Sequence, residues 1–207
     1  MIDRRVCLAA LFACFTHIVS AQSGDRRGVP DGVMVDPWLR VKDLIDFLPR
    51  TFASLVESER RAKLDQRLRS LDRSMGAVAR RKLEISRRLM EPGFIHEAPL
   101  RSYELSQEVT KLIELLDSIY SDLSIREETT AKNTTVAMEA LKSALFEKWR
   151  IEEDLRAALS TPDNSALQEL SRKWRNSAER VSGARMALTR VRAQLNRAPS
   201  APASTAA

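Results

Sequence analysis

The residues able to do chemistry in this chain are few, and their spacing fits none of the common constellations. Only two histidines and two cysteines occur in 207 residues, and His17, Cys7 and Cys14 all fall within the first 21. A Ser–His–Asp relay would therefore rest wholly on His96, beside Glu97. The surrounding stretch, MEPGFIHEAP, reads as a loop between helices, and no Gly-x-Ser-x-Gly elbow or strand pattern accompanies it. A di-iron centre in a helical bundle draws on Glu-x-x-His pairs, yet Gly93 stands three residues before His96. Glu152, Glu153 and Asp154 are consecutive, so a helix fans them to different sides and they form no cage. No Gly-rich phosphate loop occurs. The sequence thus predicts no catalytic, cofactor-binding or metal-binding residue, no cofactor and no enzyme. Asn133-Thr134-Thr135 has the form of a glycosylation acceptor, which would matter only in a eukaryotic host; the Ala- and Arg-rich composition and the brief leader read as bacterial.

That leader is MIDRRVCLAALFACFTHIVSAQS. Arg4 and Arg5 precede an apolar run from Val6 to Val19, and Val19-Ser20-Ala21 places small residues where a signal peptidase reads. Fourteen residues of helix cover only about 21 Å, against a hydrocarbon core of roughly 30 Å. Cleavage between Ala21 and Gln22 is expected, with export, most simply to the periplasm. The mature chain would contain no cysteine, hence no disulfide or thiolate site.

The elements beyond it read as all-helical, with few glycines and aromatics and abundant Arg, Glu, Leu and Ala. Residues 22–35 form a flexible lead-in, 36–197 a helical bundle, and 198–207 a disordered, low-complexity tail. Asp36-Pro37 is a capped helix start, followed by Trp38, Val41, Leu44, Ile45 and Leu48 on one side, with Pro49 ending the segment. Leu64, Leu68, Leu71, Met75, Val78, Ile85 and Leu89 keep a four-three spacing, with Lys82 the one polar intruder, until Pro92-Gly93 stops it. A third segment begins near Pro99 or Ser102 and carries Leu105, Val109, Leu112, Leu116, Ile119 and Leu123. The beat lapses over 125–135, IREETTAKNTT, and resumes one residue out of phase at Met138, Leu141, Leu145, Leu155 and Leu159. With no Gly or Pro in that lapse, the reading preferred is one helix of about 60 residues through a register shift, the alternative being a loop there. Thr161-Pro162-Asp163 opens a last helix whose seam is Leu167, Leu170, Trp174, Ser177, Val181, Ala184, Leu188, Val191 and Leu195. The expected fold is an elongated antiparallel bundle or coiled coil of three long helices plus a short N-terminal one.

Charge suggests how they pair. Residues 57–91 carry 11 basic and 6 acidic side chains, 101–160 carry 8 and 12, and 167–197 carry 8 and 2. An acidic middle helix between two basic ones would favour each adjoining seam and disfavour pairing the first with the last. Much of the net charge of +6 is then absorbed internally, which with export argues against a nucleic-acid partner. The residues a partner could use are Trp38 on the short helix, whose preferred reading is a cap over the end of the bundle, and the outer arginines Arg172, Arg175, Arg180 and Arg185, whose preferred reading is a solvated face and whose alternative is contact with an acidic protein or anionic surface. Trp149 and Trp174 fall in or beside the seams and are expected in the core. The same heptads would also serve self-association.

The stretch GVMVDPWLRVKDLIDFLPRTFASLVESERR, with Val33-Met34-Val35-Asp36-Pro37 at its head, resembles the mature start of the periplasmic VirB5/TrbJ-type proteins of type IV secretion and conjugative transfer systems. The resemblance covers about 30 residues, and this chain departs from the family in being rich in Arg rather than Gln and Asn. It implies a helical minor pilus component or mating-pair factor. The function expected is that of an exported, non-enzymatic protein acting through protein–protein contacts in a cell-envelope assembly. The alternative is a periplasmic holdase chaperone gripping clients between basic helical arms.

Overall fold

Asp36 starts the first helix by accepting a hydrogen bond from the Trp38 backbone N–H at 3.0 Å, while Pro37 occupies the first helical position. In the computed structural model, residues 36–50, 58–124, 131–160 and 163–197 are described. The expected signal segment with Ala21 and Gln22, the expected lead-in over 22–35 and the expected tail over 198–207 lie outside them. All described elements are helices: α1 Pro37–Phe47, α2 Ser58–Arg88, α3 Phe94–Ser124, α4 Ala131–Ser160 and α5 Asn164–Arg197.

Local chemistry sets the boundaries. A 3₁₀ turn at 48–50, containing Pro49, follows α1. Arg87 and Arg88 complement the C-terminal dipole of α2. Gly93, at φ +87°, then takes the left-handed conformation that a side chain resists, turning the chain into α3. The Arg88 guanidinium lies 4.4 Å from the centroid of the buried Phe94 ring and pairs with Glu91 and Glu97. That clasp starts α3 at Phe94, earlier than Pro99 or Ser102, and carries Pro99 inside the helix. His96 therefore stands exposed in the first turn of a helix rather than in a loop. Asp163 caps α5 by accepting from the Ser165 N–H at 3.1 Å.

Among the described residues the bundle has four long helices, where three were expected. α3 and α4 pack side by side over much of their length, and the Ser106 hydroxyl donates to Glu152 at 2.9 Å. Partners lying well back from Ser124 and well forward of Ala131 require the chain to reverse between them, which a single continuous helix forbids. The helix α4 turns slightly from the expected seam: Ala137, Ala140 and Ala144 are buried, while Met138 and Leu145 are only half-buried. Small residues let α4 approach its neighbours closely.

The expected charge sorting is also corrected, because α2 and α5 form the most extensive pair in the fold. Asp65 meets Arg192 at 3.1 Å and Asp72 meets Arg185 at 3.0 Å. Both pairs are spaced seven residues apart along antiparallel helices, as at the edges of a heptad seam. Two well-placed carboxylates on a basic helix outweigh its net charge. Gly76 makes room for this edge, since a Cβ there would come 3.0 Å from Arg185 Cζ. These pairs are partly exposed, so Asp72→Ala is expected to cost less than about 1 kcal/mol in thermal denaturation, with the loss shrinking as salt rises.

Apolar seams close on one another throughout. Every member of the α5 series from Leu167 to Leu195 is buried, as are the six apolar positions of the α2 series and Leu89 just beyond its end. Contacts run from α5 to α2, α3, α4, α1 and back to α5, with α4 and α5 touching only sparingly. The short α1 fills the space between those two.

Candidate functional site

Four helices converge on one polar cluster inside this apolar ring. Lys82 of α2 occupies a seam position between Val78 and Ile85, so its helix directs the ammonium into the core, 1% exposed. It forms an ion pair and hydrogen bond with Glu147 of α4 (2% exposed) and donates to Ser177 Oγ of α5 at 2.7 Å. The indole Nε1–H of Trp38 on α1 donates to the same Ser177 oxygen at 3.1 Å, and the Lys82 ammonium lies 5.7 Å from the Trp38 ring centroid. Ser177 thus accepts twice, and its own O–H faces Glu147 Oε1 at 3.4 Å, which uses the whole capacity of a hydroxyl. Glu147 Oε2 is buried without a hydrogen-bond partner among the described residues.

Burial holds the Lys82 amine below its ordinary 10.5, and the Glu147 carboxylate opposes that shift. Two ions removed from water must recover their desolvation through mutual attraction and hydrogen bonds. Nearby, Ser86 and Ser171 exchange hydrogen bonds, each hydroxyl donating to the other residue's carbonyl at 2.7 Å. Their small side chains let α2 and α5 lie close.

The cluster is sealed. Trp38, Lys82, Glu147 and Ser177 are all buried, so no substrate reaches the amine in this conformation. Its chemistry is positional: an ion pair, a hydroxyl and an indole that are satisfied together in one register of four helices.

The residues expected to meet a partner fare differently. Trp38, at 2% exposed, is a core anchor and is not available to a partner. Arg180 is engaged with Asp36, and Arg185 with Asp72. Arg172 and Arg175 are exposed, with no acidic partner within salt-bridge distance among the described residues. Trp174 is buried as expected, whereas Trp149 is 46% exposed and stands 5.6 Å, between centroids, from Phe146. Tyr103, on α3, is also exposed.

Of the polar cluster, Lys82 stood out in the sequence as a break in an apolar seam and Ser177 was one of the α5 seam positions, but Glu147 belonged to no recognised seam. Its signal was the series Ala137, Ala140, Ala144, Glu147, Ile151, hidden because larger side chains one position away suggested a different seam. Among the described residues, no three His, Cys, Asp or Glu side chains converge as metal ligands, and no helix is long and apolar enough to cross a membrane. No protein-family model, curated protein or solved structure matches the chain significantly.

Proposed function

We propose that this chain is an exported, non-enzymatic helical protein that acts through protein–protein contacts in a cell-envelope assembly of the type IV secretion or conjugation kind. The observation supporting this reading is the closed interior. The apolar seams and the buried Lys82–Glu147 cluster are consumed by the chain's own packing, so recognition falls to outward side chains. Arg172 and Arg175 are exposed cations on that surface and suit an acidic envelope protein or anionic surface. The leader and the Val33–Pro37 resemblance supply the location.

The holdase reading needs arms that part to expose an apolar inner face, and the closed seams of α2 with α5 and α3 with α4 favour it less. In-cell crosslinking of the full-length protein in its native host, followed by fractionation, tests the proposal. An envelope partner is expected, on a mature chain starting at Gln22; a cytoplasmic chain with an intact leader would overturn it. The double variant R172E/R175E is expected to remain within about 0.5 kcal/mol of wild-type stability while losing capture of that partner.

A further inference from the structure

The outer side of the α2–α5 pair carries arginines that the fold leaves unneutralised. Residues seven apart lie in one row along a helix, and Arg73, Arg80 and Arg87 form such a row on α2, all exposed. The row covers about 21 Å on the side away from the buried Leu71, Val78 and Ile85. On α5, Ser171 and Arg185 meet α2, and Arg172 and Arg175 stand exposed just outside that contact. The antiparallel pairings Ser86–Ser171 and Asp72–Arg185 set the levels. Arg87 lies beside the turn that holds Arg172, and Arg80 beside the turn that holds Arg175. Arg73 donates to the Ser70 hydroxyl at 3.2 Å, and the other four have no acidic partner within salt-bridge distance among the described residues. With Glu84 and Glu179 exposed at the margins, the strip sets five guanidiniums against two carboxylates.

We propose that this face docks on a bilayer surface rich in anionic phospholipid, its guanidiniums pairing with lipid phosphates. The proposal deepens the contact reading above and rests on it for Arg172 and Arg175. Planar guanidiniums grip phosphate oxygens two at a time, and a bilayer offers phosphates wherever in its plane the arginines fall. A partner helix would instead bring apolar anchors and need a groove for them. The large exposed apolar side chains on this side are Met90 at 43% and Met186 at 61%. Met90 lies just beyond Arg87, and Met186 stands level with Leu71, just past Arg73. One methionine therefore marks each end of the strip, and no other exposed large apolar side chain lies between them among the described residues. That placement suits shallow entry into the headgroup layer at the edges of an electrostatic contact. It gives a groove-bound helix nothing to hold in the middle.

The test uses the full chain with vesicles of phosphatidylglycerol and, separately, of phosphatidylcholine, and measures partition into each by co-sedimentation at physiological ionic strength. The ratio of the two is the reading, because the apolar leader contributes to both and cancels. Wild type should favour phosphatidylglycerol and lose that preference as salt rises. An arginine close to an anionic bilayer contributes about fivefold in partition. R80Q/R87Q and R172Q/R175Q should therefore each lower the ratio about thirtyfold. K142Q/R156Q removes two exposed cations of α4, outside the strip, and should lower it less than about threefold. Circular dichroism checks that each variant is folded. Equal partition of wild type into both vesicles, a loss in K142Q/R156Q matching that of the strip variants, or binding to a polyglutamate peptide in place of vesicles would overturn the proposal. Equal partition leaves a protein partner in the envelope untouched, and a cytoplasmic chain with an intact leader leaves the vesicle result standing.

Discussion

Replacing Glu147 with leucine is expected to lower the free energy of unfolding by about 3–5 kcal/mol, because it leaves the Lys82 ammonium buried without its counter-ion. Urea denaturation read by far-ultraviolet circular dichroism measures this directly. The companion variant K82M/E147L removes both ions and fills their places with apolar side chains. It should recover most of the loss, and a gain over wild type is consistent with such replacements elsewhere. The single variant's deficit should also depend on pH. Burial already holds the Lys82 amine below 10.5, and loss of Glu147 removes the influence that raises it. The unfolded chain then binds more protons than the folded one between the folded value and 10.5. Stability of E147L therefore rises with pH across that window, and its deficit narrows on going from neutral to alkaline conditions. A loss below about 1 kcal/mol at neutral pH would mean that water or another group reaches the pair.

The second large effect separates the tryptophans. Trp174 is 1% exposed in the middle of the α5 seam, and Trp174→Ala is expected to cost about 3–5 kcal/mol. Trp149, nearly half exposed, should lose less than about 1 kcal/mol on the same change. Fluorescence gives an independent reading. Removing Trp174 should take away blue-shifted, quencher-protected emission, and removing Trp149 should take away the solvent-exposed component. Reversed results would place α4 and α5 in different rotations from those described.

Helix content was legible in the sequence because heptad spacing survives tertiary packing: the α2 and α5 seams follow from residue type and interval alone. The caps at Asp36 and Asp163 and the stop at Gly93 were equally local. Two things were not. The lapse over 125–135 contains neither Gly nor Pro, so nothing local announces the reversal that the packing of α3 on α4 requires. Pairing was misjudged because summed charge ignores position, whereas Asp65 and Asp72 act through the Arg192 and Arg185 opposite them. The site was half legible. Lys82 was visible as a polar interruption of its seam, whereas Ser177 stood among the seam positions without distinction and the sequence left a partner role for Trp38 open, because the space that holds it exists only once α4 and α5 are in place.

The pairing of α2 with α5 also bears on how the chain reaches its folded state. The contacts that close the core join residues as far apart as Asp65 and Arg192, 127 positions, and Ser86 and Ser171, 85 positions. Hairpins between consecutive helices form early because their loops are short, whereas this last seam must overcome the entropy of closing a much longer one. A growing polypeptide cannot complete that step before its C-terminal helix emerges, and until then the side of α2 that faces α5 stands uncovered. Cooperative folding is therefore deferred to the end of synthesis.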